Sequence, residues 1–238
     1  MFGMNQTARN FLLTSMTALG LAACAPSNAD KVADAQDCLD RATSDTALAC
    51  LSKVDGVETA GAELVRCSAY FIDQGFSDPG RLSRVSEELK KDGNNGGGGS
   101  STIAVLSFMA FSASKYDKTT NLNFSETAFA SCQGSSSKGM IYLSSMTRIA
   151  TVALGLVTLY DPTTGTPPTE SQIREGLCTN ATPASRAVIG SATRAAYEQN
   201  CKGKENPDPV CKEYAAAVGG GTTDEQIGSQ LETNLCTP

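Results

Sequence analysis

Histidine and tryptophan are absent from the 238-residue chain, and aromatic residues make up only 6% of it. Without imidazole there is no Ser-His-Asp or Cys-His nucleophile system, no imidazole-based zinc site and no histidine pH switch. Scarce aromatics leave few flat faces on which to stack a sugar or anchor a large interface. Basic residues are the minority, 19 Lys+Arg against 25 Asp+Glu. That balance gives the phosphate backbone of a nucleic acid, or an anionic lipid headgroup, little to hold. Strand-like alternation is scarce and no C-x-x-C pair occurs, so zinc ribbons, iron–sulfur sites and thioredoxin-like redox motifs lose support. What is present is 40% hydrophobic residues in a chain long enough to bury a core.

The N-terminal segment carries one basic residue, Arg9, and then a mostly apolar run from Phe11-Leu12-Leu13 through Met16, Ala18 and Leu19 to Cys24. Such a run is too short to span a bilayer comfortably and reads as an export signal over residues 1–23. Leu21-Ala22-Ala23-Cys24 resembles the lipobox of bacterial lipoproteins, with small residues before the cut and an apolar run before them. The resemblance implies that the peptide is cut before Cys24 and that Cys24 carries acyl chains such as palmitate. Residues 24–30, including Ser27-Asn28-Ala29-Asp30, are then a lipidated polar tether. In that family an Asp after the cysteine favours retention in the inner membrane; Ala25 stands there instead, which implies the outer membrane, on its periplasmic face or at the cell surface. Each buried CH₂ contributes about 0.8 kcal/mol, so several chains anchor firmly without a membrane span.

Setting Cys24 aside leaves eight cysteines: Cys38, Cys50, Cys67, Cys132, Cys178, Cys201, Cys211 and Cys236. An even number in an exported chain predicts disulfides, because that compartment is oxidising. Spacing favours Cys201 with Cys211, which flank the turn Asn206-Pro207-Asp208-Pro209, and Cys38 with Cys50 across a helical hairpin. The remaining pairings stay open.

Residues 31–238 read as one all-α domain, a disulfide-stapled helical bundle or an irregular array of helical hairpins. Val32, Ala35, Leu39 and Ala42 fall on one helical face. Ser44 offers a cap to a short helix carrying Ala47, Leu51 and Val54, with Gly56 at its end. Leu64, Cys67 and Phe71 mark a third helix stopped at Gly75, with Phe76 placed to fold back on Phe71 in a Schellman stop. Asp78-Pro79 begins a fourth, lined by Leu82, Val85 and Leu89. Residues 93–101, rich in Gly, Asn and Ser, read as a flexible loop: they lack the Lys-Ser/Thr ending of a phosphate-binding loop.

Two apolar segments follow, Ile103 to Ala113 and Met140 to Tyr160. The second compares with a membrane span in length, but Arg148 near its centre costs roughly 2.5–3.5 kcal/mol there, so it reads as a buried central helix. Thr147, Thr151 and Gly155 offer a neighbouring helix close approach. Later helices are expected from Thr182-Pro183 with Ala184, Val188, Ala192 and Ala195 inward, from Pro209 to Val218, and after a Thr222/Glu225 capping box.

Motifs that could carry chemistry are weak. Ser112-Ala113-Ser114-Lys115 and Ser135-Ser136-Ser137-Lys138 have Ser-x-x-Lys spacing but no companion Ser-Asp-Asn or Lys-Thr-Gly. Glu87 and Glu88 point apart on a helix. Asp208 lacks the alternating oxygen ligands of a calcium loop. No catalytic residue, metal ligand or cofactor motif is identified. The expectation is a lipid-anchored envelope protein with a non-catalytic binding or structural role, partnered by the membrane through Cys24 and by another envelope protein, and not by nucleic acid. The alternatives are a membrane-active protein inserting the hairpin 103–160, and an envelope hydrolase.

Overall fold

The computed structural model describes residues 26–81, 83, 87 and 98–236. The signal segment, Cys24, the inner face Leu82-Val85-Leu89, Glu88 and the glycine-rich residues 93–97 lie outside the described residues. Within them the chain is all α-helical, with no strand, and four disulfides staple it.

Helix α1 (Asn28–Asp40) starts inside the segment expected to be a tether. The reason is local: Ser27 Oγ accepts from the Asp30 amide while the Asp30 carboxylate accepts from the Ser27 amide, a capping box that satisfies the first-turn donors. Ala35 and Leu39 form its buried face. A 3₁₀ helix (Ala47–Val54) follows and turns Ala47, Cys50 and Val54 inward. Its N-cap is Thr46, not Ser44, because Thr43 and Thr46 close a turn of their own through the Thr43 N–H to Thr46 Oγ1 bond. Helix α2 (Ala60–Asp73) ends as expected. The Phe76 amide donates to the Phe71 carbonyl and the Gly75 amide to that of Ile72. Gly75 takes φ +80°, and the Phe71 and Phe76 rings meet edge to face at 5.0 Å.

Helix α3 (Gly98–Met109) begins within the stretch expected to be a loop and buries Ile103, Val105, Leu106 and Met109. Helices α4 (Lys118–Gly134) and α5 (Lys138–Gly155) form an antiparallel pair, and α5 is the central helix. Arg148 is accommodated there without lipid: it donates to Glu126 Oε1 and Ser191 Oγ, each at 2.8 Å, and lies over the Phe129 ring. Among the described residues no helix is long and apolar enough to cross a membrane. The close approach expected at Gly155 is absent, since a Cβ there would meet nothing. It occurs instead where α6 (Glu170–Cys178) brings Gly176 onto the Ala153 carbonyl.

Helix α7 (Pro183–Ala196) is capped by Thr182 and continues into a short π-helical turn, Tyr197–Cys201. Its buried face is Ser185, Ile189, Ala192, Thr193 and Ala196, so of the expected Ala184, Val188, Ala192 and Ala195 only Ala192 is fully buried and the face is turned by one position. The cause is α9, which crosses at Gly190. Helix α8 (Pro209–Gly220) is capped by Asp208, and α9 (Asp224–Cys236) by Thr223 with Gln226 rather than Thr222 with Glu225.

Among the described residues two hydrophobic clusters result. The smaller joins α1, the 3₁₀ helix and one face of α2 through Leu39, Val54 and Val65. The larger gathers the other face of α2, through Cys67 and Phe71, with all the later helices.

Candidate functional site

The eight cysteines pair as Cys38–Cys50, Cys67–Cys132, Cys178–Cys236 and Cys201–Cys211. The two short-range pairs are those favoured from spacing. The long-range pairs tie α2 to α4 and α6 to α9. Closing loops of 65 and 58 residues removes about 4 kcal/mol of unfolded-state entropy each, against about 3 kcal/mol for separations of 12 and 10.

Neither Ser-x-x-Lys match assembles a nucleophile. Ser112 and Lys115 lie outside any helix, so the one-turn spacing does not bring them together. Lys115 Nζ instead donates to Asp73 Oδ1 at 2.9 Å, to the Ser44 carbonyl and to Asp45 at 3.5 Å. Burial alone would lower the Lys115 pKa, but its bonds to Asp73 outweigh that and hold it above the ordinary lysine value. It is an ammonium committed to joining two clusters. Asp73 is only 3% exposed and also accepts from the Tyr116 hydroxyl at 3.0 Å. Ser135 Oγ donates to the Cys132 carbonyl at a helix end, and Lys138 is exposed. Asp208 caps α8 by accepting from the Cys211 amide at 2.9 Å. Glu87 is exposed, within 3.4 Å of Ser83 Oγ. Among the described residues no group of acidic or cysteine side chains is arranged to hold a metal.

Among the described residues, one concave feature with convergent polar groups is a cleft of about 250 Å³ between the end of α3, the segment 111–114 and the loop 165–168. Arg81, Ser107, Ser112, Ser114 and Thr166 supply its polar lining, Phe108, Pro167 and Pro168 its apolar wall, and Asp78 stands exposed at the rim. Asp78 orders the helical turn that presents Arg81 by accepting from the Gly80 amide at 2.9 Å. Arg81 is then clamped: Nε donates to the Phe108 carbonyl at 2.9 Å, Nη1 to that of Gln74 and Nη2 to that of Ala110, both at 2.6 Å. Its guanidinium lies 3.8 Å from the Phe76 ring centroid.

Burial pulls the Arg81 pKa down to about 10, while Tyr160 and Asp78 oppose the shift, so Arg81 is a cation at neutral pH. No described carboxylate is within ion-pairing distance of it. Behind Ser112 lies Tyr160, 4% exposed. Its hydroxyl is within reach of Ser112, and burial raises its pKa while Ser112 and the Arg81 charge oppose the shift. Gln74 fixes the adjoining backbone, donating to Asn121 Oδ1 and accepting from the Ala113 amide.

The sequence did not single out this cleft. Arg81 belongs to no sequence motif, and Ser112 and Ser114 enter only as part of a Ser-x-x-Lys spacing. The one available signal was Phe76 beyond the Schellman stop, which marks where a chain reversal brings these segments together. No protein-family model matches the chain, and no characterised protein or solved structure is detectably similar to it.

Proposed function

We propose that this is a lipid-anchored protein of the bacterial cell envelope whose helical domain works by binding. The observation that carries the reading is the cysteine partition: eight cysteines pair among themselves, leaving Cys24, the ninth, at the end of Leu21-Ala22-Ala23-Cys24. A disulfide framework suits an oxidising compartment, and the lipobox-like residues suit an acyl anchor there. Ala25 rather than Asp after the anchor favours the outer membrane. The body offers a polar cleft and no assembled nucleophile among the groups the sequence singled out, so the domain's role on this reading is contact with a ligand or with another envelope protein.

The test is Cys24→Ala in cells, read by membrane fractionation and by incorporation of labelled palmitate. The wild-type chain is expected in the membrane fraction with label, and the variant soluble and unlabelled. Unchanged membrane association, or absence of label from the wild type, overturns the anchor.

A further inference from the structure

We propose that the cleft at Arg81 binds a small zwitterion of the α-amino acid class, with the ligand's carboxylate on the Arg81 guanidinium and its ammonium facing Asp78. This deepens the reading of the domain as a binding module, and it is independent of the anchor.

Three features of the cleft point to this class. The first is charge. Arg81 commits three of its five N–H donors to the carbonyls of Gln74, Phe108 and Ala110. Those neutral acceptors fix its orientation and form no ion pair, so two N–H donors remain for a ligand carboxylate at the cleft wall. The second is the hydroxyl lining, with Ser112, Ser114 and Thr166 facing the cleft. Such hydroxyls both donate and accept, so they can serve the carboxylate and the ammonium of one ligand.

The third is polarity across the cleft. Asp78 at the rim repels a second negative group and attracts a positive one. A dicarboxylate or phosphate therefore meets one favourable and one unfavourable charge, whereas a zwitterion meets two favourable ones. Size agrees: about 250 Å³ of room is enough for a small amino acid. Phe108, Pro167 and Pro168 offer the ligand's side chain a short apolar wall.

The experiment is isothermal titration calorimetry of the full-length protein in detergent with L-serine, L-alanine, succinate and inorganic phosphate. L-serine or L-alanine is expected to bind at least tenfold more tightly than succinate or phosphate. Asp78→Asn keeps the cap acceptor for Gly80 and is expected to weaken the amino acid at least tenfold. Ser112→Ala is expected to weaken it several-fold. Both variants leave the Arg81 clamp in place, so they read the site without testing whether the fold survives its loss. No heat with either amino acid overturns the proposal, as does amino-acid binding indifferent to both variants, or succinate binding as tightly as serine. The Cys24→Ala chain should bind equally well, so failure of the anchor and failure of the cleft are read separately.

Discussion

Gly190 and Gly228 sit where α7 and α9 meet backbone to backbone. A Cβ on Gly190 would lie 1.7 Å from the Asp224 carbonyl oxygen, and one on Gly228 2.0 Å from that of Arg186. Neither obstacle is a side chain that can swing away, so one methyl group must push two helices apart. The crossing is clamped on both sides, by Arg186 with Glu232 at 2.6 and 3.0 Å and by Arg194 with Asp224 at 3.0 Å, which leaves little freedom to relax. Gly228→Ala should therefore destabilise by about 3 kcal/mol or more, at or beyond the upper end of ordinary overpacking. Gly139→Ala is the control: nothing lies within 4 Å of its Cβ position, and at the second residue of α5 the change should gain no more than about 0.5–1 kcal/mol. Urea unfolding of the two variants measures both, and similar midpoints would show that the crossing is not tight. Nothing in the sequence distinguishes these glycines, because a glycine's role at a crossing depends on a helix far away in the chain.

At the scale of elements, what was legible was what depends on neighbours in sequence. The Schellman stop at Gly75, the Thr182 cap and the Cys201–Cys211 staple are each settled within about a dozen residues. Cys67–Cys132, the inner face of α7 and the cleft depend on packing between distant segments, so they were not legible. Buried and half-buried tyrosines also join the elements, and this has a pH signature. Burial pushes Tyr142 and Tyr214 well above the ordinary tyrosine value of 10.0, and Tyr70, Tyr116 and Tyr160 are raised as well. The folded chain then keeps protons that the unfolded chain has lost above about pH 10, so stability falls as pH rises beyond that point. Arg81 acts in the opposite sense, since its pKa is lowered by folding, but it is one group against five. Phenolate absorbance is expected to rise together with loss of helical circular dichroism above about pH 10. A gradual titration with the helices intact would show that these hydroxyls reach solvent in the folded state.

On the scale of the whole molecule, α2 is the shared wall of two unequal cores. The smaller is built largely from Ala, Val and a disulfide, while the larger holds Phe71, Ile103, Leu106, Ile149, Tyr214 and Leu231. Apolar area sets most of the stabilisation, so the smaller core should open at a lower free energy than the larger. The contacts that hold it are few and identifiable. Arg66 reaches the Val54 and Val57 carbonyls at 2.8 and 2.9 Å, and Lys115 reaches the Ser44 carbonyl. Cys38–Cys50 closes a 12-residue separation, worth about 3 kcal/mol in the chain-entropy account. Replacing both Cys38 and Cys50 with Ala should therefore release Asn28–Val54 as a unit while α5, α7 and α9 stay folded. Hydrogen exchange followed by mass spectrometry is the measurement: protection should fall at least tenfold in α1 and the 3₁₀ helix and change little in peptides from α5 and α9. A uniform loss along the chain would mean that α2 couples the two cores into one cooperative unit. The Arg81 cleft draws on the chain just after α2, the end of α3, the segment 111–114 and the loop 165–168, so amino-acid binding should survive the release of α1.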